Sequence, residues 1–401
     1  MKRPATIAII GAGTAGAASA LFLSCAGHVV TLFERVPEPG PLGAGVMIQP
    51  SGLAVLARLG CESRVLDRGA RVDRLRCETH AGIKVLDLAY ESLDKDLFGI
   101  GLHRGVLFET LFGAVRAASV ELLCGVSIVR VLRAARSGRI VVTESGERHG
   151  PYDLVVVCDG ARSQVRDDLH EITKRVTGYP WGALWFIGED PKHEFLGMLY
   201  QKVRGTREMV GTLPTGLGPG IGVTPQTSLF YSVLGDDVAP LKQRGIAAWK
   251  NRVREIAPET EPLLAQIDDM RQLTFASYFD IVMPRWHGRD VVFLGDAAHA
   301  TSPQLGQGCN LALVDAMTLA DALDASACIA DALDLYTSRR RDQLAYYQLA
   351  TRWLTPFFQS EIAPLGWLRD LLMPKFSRIG YVEREMIRSM CGTKTSLFFA
   401  K

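Results

Sequence analysis

Three acids and two glycine-rich turns are the residues of this 401-residue chain whose types and spacing can do chemistry. Residues 291–316 read VVFLGDAAHATSPQLGQGCNLALVDA. The run 291–294 is apolar and β-branched, the composition of a buried strand, and Gly295-Asp296 ends it by turning an acid off its carboxyl edge. A Ser/Pro/Gly-rich loop follows over 301–307, with Pro303 and Gly306-Gln307-Gly308 in sequence. Beyond Gly306 apolar residues recur at helical spacing, at Leu311, Val314, Ala316 and Leu319, with Asn310 in the first turn. A helix start carries unpaired N–H groups and the positive end of the helix dipole. Beside Asp296 it suits a ligand with a polyol for the acid and an anionic group for the helix.

The second turn is Gly11-Ala12-Gly13-Thr14-Ala15-Gly16. It stands between a β-branched strand at 6–10 and a small apolar helix at 17–26, and a second strand, 29–33, closes on Glu34-Arg35. Gly11 permits the tight turn, Gly13 lets the backbone approach a pyrophosphate, and Gly16 lets the helix pack on the sheet. Glu34, about 20 residues on, is placed for a ribose diol. The third acid, Asp159, leaves the apolar run 154–157 in Asp159-Gly160, with Ser163 and Arg166 after it. A turn after a parallel strand points Asp159 into the same crevice; a plain helix cap is the other reading. Arg104 opens a helix over 106–117 whose first turn faces this domain, as a ligand contact or as an ordinary surface arginine.

These residues need a scaffold of ordinary globular composition. The chain is 48% hydrophobic and 22% charged, and its formal charge of +2 gives no reason to expect nucleic acid or an anionic membrane as partner. Eight scattered cysteines without a Cys-x-x-Cys pair read as a reducing compartment, with no disulfide framework and no metal site. Cys25 and Cys158 sit in core-like runs. No segment has the length of a membrane span and no signal peptide is recognisable, so the expected location is cytoplasmic.

The expected fold class is α/β. A Rossmann-like domain of parallel sheet and helices (1–71, 103–177 and 273–335) is interleaved with a mainly antiparallel-sheet substrate domain (72–102 and 178–272), and a helical region occupies 336–401. Within it, Ser51 reads as the cap of a helix running to residue 59, residues 72–88 as a hairpin, 237–270 as helical, and 273–281 as a return to the first domain.

The three motifs, in this order and at these distances, resemble the FAD-dependent aromatic hydroxylases, the para-hydroxybenzoate hydroxylase-like flavoprotein monooxygenases. The likeness covers nearly the whole chain. It implies that Asp296 bonds the ribityl chain of FAD, that Pro303 and Gly306-Gln307-Gly308 lie against the isoalloxazine, and that Gly43-Ala44-Gly45 passes over the same side. It also implies that Arg104 and Asp159 contact the diphosphate–ribityl region. Phe357-Phe358-Gln359-Ser360 and Leu368-Arg369-Asp370 resemble the tail of the ubiquinone-biosynthesis hydroxylases of the same superfamily.

The implied activity is a monooxygenase in which NAD(P)H reduces FAD, O2 adds at flavin C4a, and the hydroperoxide hydroxylates an aromatic or other electron-rich small molecule. The flavin performs the difficult chemistry and the protein orients and tunes it. The catalytic protein residue stays unassigned; His299 belongs to the motif and reads as structural sooner than as acid–base. Aromatic residues of the 178–235 sheet, Trp185, Tyr200 and Tyr231, are the candidates to face substrate. A flavin-dependent reductase or dehydrogenase, or a non-catalytic FAD-binding protein, would carry the same FAD motifs.

Overall fold

A computed structural model describes residues 3–41, 43–169, 172 and 174–396; Leu42, which precedes Gly43-Ala44-Gly45, lies outside them. Thr6–Ile10 is the centre of a six-stranded sheet ordered His287–Gly288, Val291–Phe293, Leu154–Val157, Thr6–Ile10, Val29–Glu34, Val120–Cys124. All pairs except the first are parallel. Such strands are buried on both faces, which is why 154–157 and 291–293 are uninterrupted apolar runs. The glycine turn, Asp159 and Asp296 therefore leave adjacent carboxyl ends of one sheet, the edge where open α/β sheets bind ligands.

The second layer is a nine-stranded sheet, mainly antiparallel, built around Arg175–Glu189, Gly197–Arg204, Glu208–Leu217 and Pro225–Leu234. The hairpin expected at 72–88 is Ala70–Thr79 paired with Lys84–Ala89. Two strands enter this sheet from segments that the sequence assigns to the first domain. Gly45–Ile48 pairs with Gly99–His103 at one edge, and Thr274–Val282 pairs with Arg175–Glu189 at the other. Their backbone N–H and C=O groups find partners there, a constraint that apolar periodicity does not report. A small three-stranded sheet, Ile128–Arg133 with Arg139–Thr143 and Arg148–Tyr152, completes the strands of the described residues.

Helix starts differ from expectation in two places. The helix expected from Ser51 is Pro50–Arg58 capped by Gln49, because a proline with no N–H and a fixed φ suits the first position. The long C-terminal helix begins before Tyr336 and runs Ile329–Phe358, Cys328 Sγ accepting from Asp331 N. Ala363–Phe376 and Gly380–Cys391 follow it. Cys158 is buried as expected, but Cys25, at the end of its helix, is exposed. Among the described residues no helix is long and apolar enough to cross a membrane, and no cluster of His, Cys, Asp and Glu could hold a metal.

A buried carboxylate ties the six-stranded sheet to the helices packed against it. Asp315, in the helix Gly308–Ala325, accepts from Gly295 N at 2.9 Å and from Arg340 Nε at 2.7 Å, and meets His299 Nε2 at 2.6 Å. Burial alone would raise its pKa; the His299 and Arg340 charges and these hydrogen bonds outweigh it and hold the carboxyl at about 2. Its stabilising contribution is therefore complete above the ordinary carboxylate value of 3.8 and is lost as pH falls from there towards 2. Replacing Asp315 by Ala leaves a buried guanidinium unpaired and should cost about 3–5 kcal/mol in urea unfolding at neutral pH. The deficit should shrink in acid over that window, and an equal deficit at both pH values would remove the charge from the explanation.

Candidate functional site

The glycine turn is held by close contacts at two of its three glycines. Gly11 has φ +95°, and a Cβ there would stand 2.7 Å from the Cys158 carbonyl oxygen. At Gly16 a Cβ would stand 1.8 Å from the Gly11 carbonyl oxygen, so the helix start is pressed onto its own turn. Gly13 is different: a Cβ there would meet nothing within 4 Å. Its hydrogen faces open space, which is the property a pyrophosphate approach requires. The helix Thr14–Cys25 starts at Gly13 without any side-chain cap, leaving first-turn N–H groups for an anion. That space is a cavity of about 250 Å³ bounded by Gly13, Thr14, Gly40, Gly43 and Arg104.

Glu34 sits at the expected place and already supports the turn. Its Oε2 accepts from Ala12 N and its Oε1 from Val36 N, each at 2.9 Å. A ribose hydroxyl would share a carboxylate that also fixes the loop. Arg35, the next residue, is exposed. Arg104 is exposed at the start of its helix, where the Gly43 backbone lies over its side-chain stem.

Asp159 is a polar group at the crevice that the protein leaves unfinished. Its Oδ1 is buried with no partner among the described residues, beside Gly11. Burial pushes its carboxyl up to about 6, against the Ser163 hydrogen bond, which lowers it. A buried acceptor without a donor is costly unless a ligand supplies one. Ser163 and Arg166 of the same motif are structural. Ser163 Oγ accepts from Arg166 N at 3.0 Å, and buried Arg166 donates to the carbonyls of Ala297 and Ala161 at 3.1 and 2.9 Å. Arg166 thereby locks the Asp159 turn to the Asp296 turn.

Asp296 projects into a second cavity, of about 290 Å³, with its Oδ1 3.8 Å from where a Cβ on Gly308 would be. Pro303, Gly306, Gln307, Gly308 and Gly45 line the same space. Gly306 is left-handed at φ +61°, and Gly308–Ala325 begins without a side-chain cap on its N-terminal N–H groups. Cys309 lines this wall too; burial pushes its thiol up to about 11, so it is neutral at pH 7. Its sulfur is 4.0 Å from Thr14 Oγ1, which joins the second cavity to the glycine turn.

Asn310 is assigned to the cofactor by its motif, but its amide is fully used by protein. Nδ2 donates to the carbonyls of Met47 and Gly306 at 3.0 and 3.2 Å, and Oδ1 accepts from Gln49 N at 2.9 Å. It stitches the Gly45 strand to the loop. The Gln307 amide turns away likewise, its Nε2 donating to Ser389 and Met390 carbonyls at 3.3 and 2.7 Å. His299 is consumed by Asp315, which removes it as an acid–base.

Of the three aromatic candidates, the structure brings one to this cavity. Trp185 lines it, with the Phe230 ring 5.0 Å away. Tyr200 and Tyr231 lie on the reverse face of the sheet. Tyr200 donates to Glu78 at 3.1 Å; Tyr231 donates to Glu208 at 3.2 Å, packs edge-on to Trp249, and borders a separate cavity of about 560 Å³. Side chains alternate faces along a strand, and only the pairing register says which face is which. The cavity's other walls, Met47, Gln201, Met209, Tyr278 and Met390, carry no motif, and only their places beside Trp185 in the folded sheet could have found them.

The donors, the open glycine, the orphaned Asp159 oxygen and the aligned cavities fit FAD. A Cβ at Gly13 meets no protein atom within 4 Å, so the Gly13→Val apoprotein should unfold as wild type does while FAD binds at least about tenfold more weakly, the effect of 1.4 kcal/mol. Unchanged FAD affinity, or a destabilised apoprotein, would remove the pyrophosphate from that space. Asp296→Ala should cost about 1–3 kcal/mol of FAD binding by titration of the apoprotein.

Residues 4–346 match the model of a family described as an FAD binding domain. The 3-amino-4-hydroxybenzoate 2-monooxygenase of Streptomyces cremeus is 28% identical over 391 residues, covering 93% of this chain and 92% of that protein. A 2-heptyl-3-hydroxy-4(1H)-quinolone synthase of Pseudomonas aeruginosa is also 28% identical over 391 residues, covering 92% and 93%. Among solved structures, Klebsiella pneumoniae HpxO complexed with FAD, in a variant form, shares the fold at a TM-score of 0.80 and 22% identity, covering 96% of this chain and 99% of that one. The match over 4–346 and the three motifs agree: the chain belongs to the FAD binding domain family of FAD-dependent aromatic hydroxylases.

Proposed function

We propose that this enzyme takes reducing equivalents from NAD(P)H and uses O2 to hydroxylate an aromatic small molecule in the cavity between the 303–308 loop and the inner face of the nine-stranded sheet. The observation that carries this reading is the position of that cavity. One wall is the loop and helix start at Asp296 and Gly308, and the facing wall is Trp185, Phe230 and Leu213. FAD, when bound, supplies the redox and oxygen-activating chemistry.

The chain's own residues do the rest. The uncapped start of Gly308–Ala325 favours negative charge on whatever lies against it, and preorganised dipoles of this kind need no rearrangement during reaction. Trp185, Met209, Leu213 and Phe230 exclude water from the acceptor's side, which protects a reactive oxygen donor from hydrolysis and loss. The Gln307 amide anchors the loop to the last helix, so the C-terminal segment closes the cavity's floor at Met390.

The test is to mix FAD-loaded enzyme with NADH or NADPH anaerobically, then admit isotopically labelled O2 with an aromatic substrate. Flavin bleaching followed by labelled oxygen in the product is the expected result. Bleaching with turnover but without oxygen in the product would identify a reductase. Trp185→Ala should raise KM and divert turnover to hydrogen peroxide with FAD content unchanged, whereas Tyr200→Phe and Tyr231→Phe should leave KM alone. Equal KM effects at all three positions would move the substrate off the inner face.

A further inference from the structure

Among the described residues, the charged side chains that line the flavin-edge cavity are of one sign, and it is negative. Asp296 is its carboxylate, and no Lys, Arg or His is among the described residues that line it. Strand alternation is the cause. On Gly197–Arg204, Leu199 and Gln201 face the cavity, while Tyr200 and Lys202 point to the reverse side, where Lys202 is paired with Glu259 at 3.1 Å. In the neighbouring parallel strand Leu75 registers with Leu199 and lines the cavity. Arg76 registers with Tyr200 on the reverse side and is paired with Asp87 at 3.2 Å.

The polar groups that remain are neutral. Tyr278 hydroxyl accepts from Trp185 Nε1 at 3.3 Å, which leaves its own proton to donate. The Gln201 side-chain amide has no hydrogen-bond partner among the described residues. Around them stand Met47, Leu199, Met209, Leu213 and Phe230. A carboxylate beside Tyr278 and Gln201 would lose its hydration without gaining a cationic side chain; unpaired burial of charge is strongly unfavourable. A phenol, amide or ring carbonyl would lose nothing, since Tyr278 can donate and Gln201 can do either.

Resting on the monooxygenase reading above, we infer that the substrate is an uncharged aromatic. One polar edge meets Tyr278 and Gln201, and the rest, a further ring or an alkyl chain, is covered by the apolar wall. Aromatic carboxylates are excluded. Gln201 is the specificity-determining residue, because it occupies the inward position on the strand where a cation would have to stand.

The experiment uses FAD-loaded enzyme and three probes that differ only at one group: 4-hydroxybenzoate, its methyl ester and its butyl ester. Dissociation constants come from perturbation of the flavin absorbance. The esters should bind at least about tenfold more tightly than the acid. Each added methylene that is buried should tighten binding by about fourfold. Gln201→Arg, checked for unchanged FAD content, should reverse the preference towards the acid.

The inference is overturned if the acid binds as tightly as the esters, or if neither ester perturbs the flavin. The monooxygenase reading fails separately. Tight ester binding with no oxygen inserted into any probe would keep the substrate class and sink the activity, and hydroxylation of the acid in preference to the esters would do the opposite.

Discussion

The structure depends on one buried carboxylate with three donors around it. Asp315 joins Gly295 N, His299 and Arg340, and these come from the turn after a central strand, the short helix at Asp296–His299 and the long C-terminal helix. A buried ion pair is seldom a large net source of stability, because desolvation offsets the attraction. Its value here is geometric. Gly295 has φ +58°, and a Cβ there would press on Ala15 and Ala312 at 3.2 and 3.3 Å. With its N–H bonded to Asp315 the turn has one conformation, and Asp296 leaves it in one direction. The start of the helix Gly308–Ala325 and the direction of Asp296, the two groups that the FAD reading assigns to the flavin and its ribityl chain, are thus set by the same contact.

Around that anchor the molecule separates its two tasks. Cofactor groups come from turns at the carboxyl ends of the six-stranded sheet, where backbone N–H groups and acids are concentrated. The groups proposed for the substrate come from the middle of the nine-stranded sheet, where alternation delivers an apolar face without charged side chains. The C-terminal helices close the gap between them. Gln359 bonds Ser232 at 2.9 Å on the sheet and Gln304 at 3.0 Å on the loop, and Gln343 holds the Gly392 carbonyl at 2.6 Å. The aromatic tail that reads from sequence as a family hint is, at Phe358 and Gln359, packing for the cavity's outer wall.

Local motifs were legible wherever one residue type answers one physical demand. Gly11 is demanded by a positive φ against a carbonyl, Gly13 by open approach, and Gly16 by contact with its own turn. Asp159 and Asp296 follow from strands whose apolar runs leave no doubt about where they end. The side-chain directions of Asn310 and Gln307 were not legible, because the strand and helix that hold their amide nitrogens come from residues 47–49 and 389–390, far away in the chain. Those of Tyr200 and Tyr231 were not legible either, since composition identifies an aromatic strand but not its facing.

The sequence by itself determined the parallel sheet, the FAD crevice and the family, because turns, β-branched runs and glycine positions are local and nearly context-free. Tertiary structure decided which side chains line the cavity proposed for the substrate. Facing on a sheet alternates with every residue, and it is set by register across strands that are distant in the chain: Gly197–Arg204 against Ala70–Thr79, and Arg175–Glu189 against Thr274–Val282. That register turns Trp185 and Gln201 towards the cavity beside the 303–308 loop, and sends Tyr200, Lys202 and Tyr231 behind the sheet to their own carboxylates.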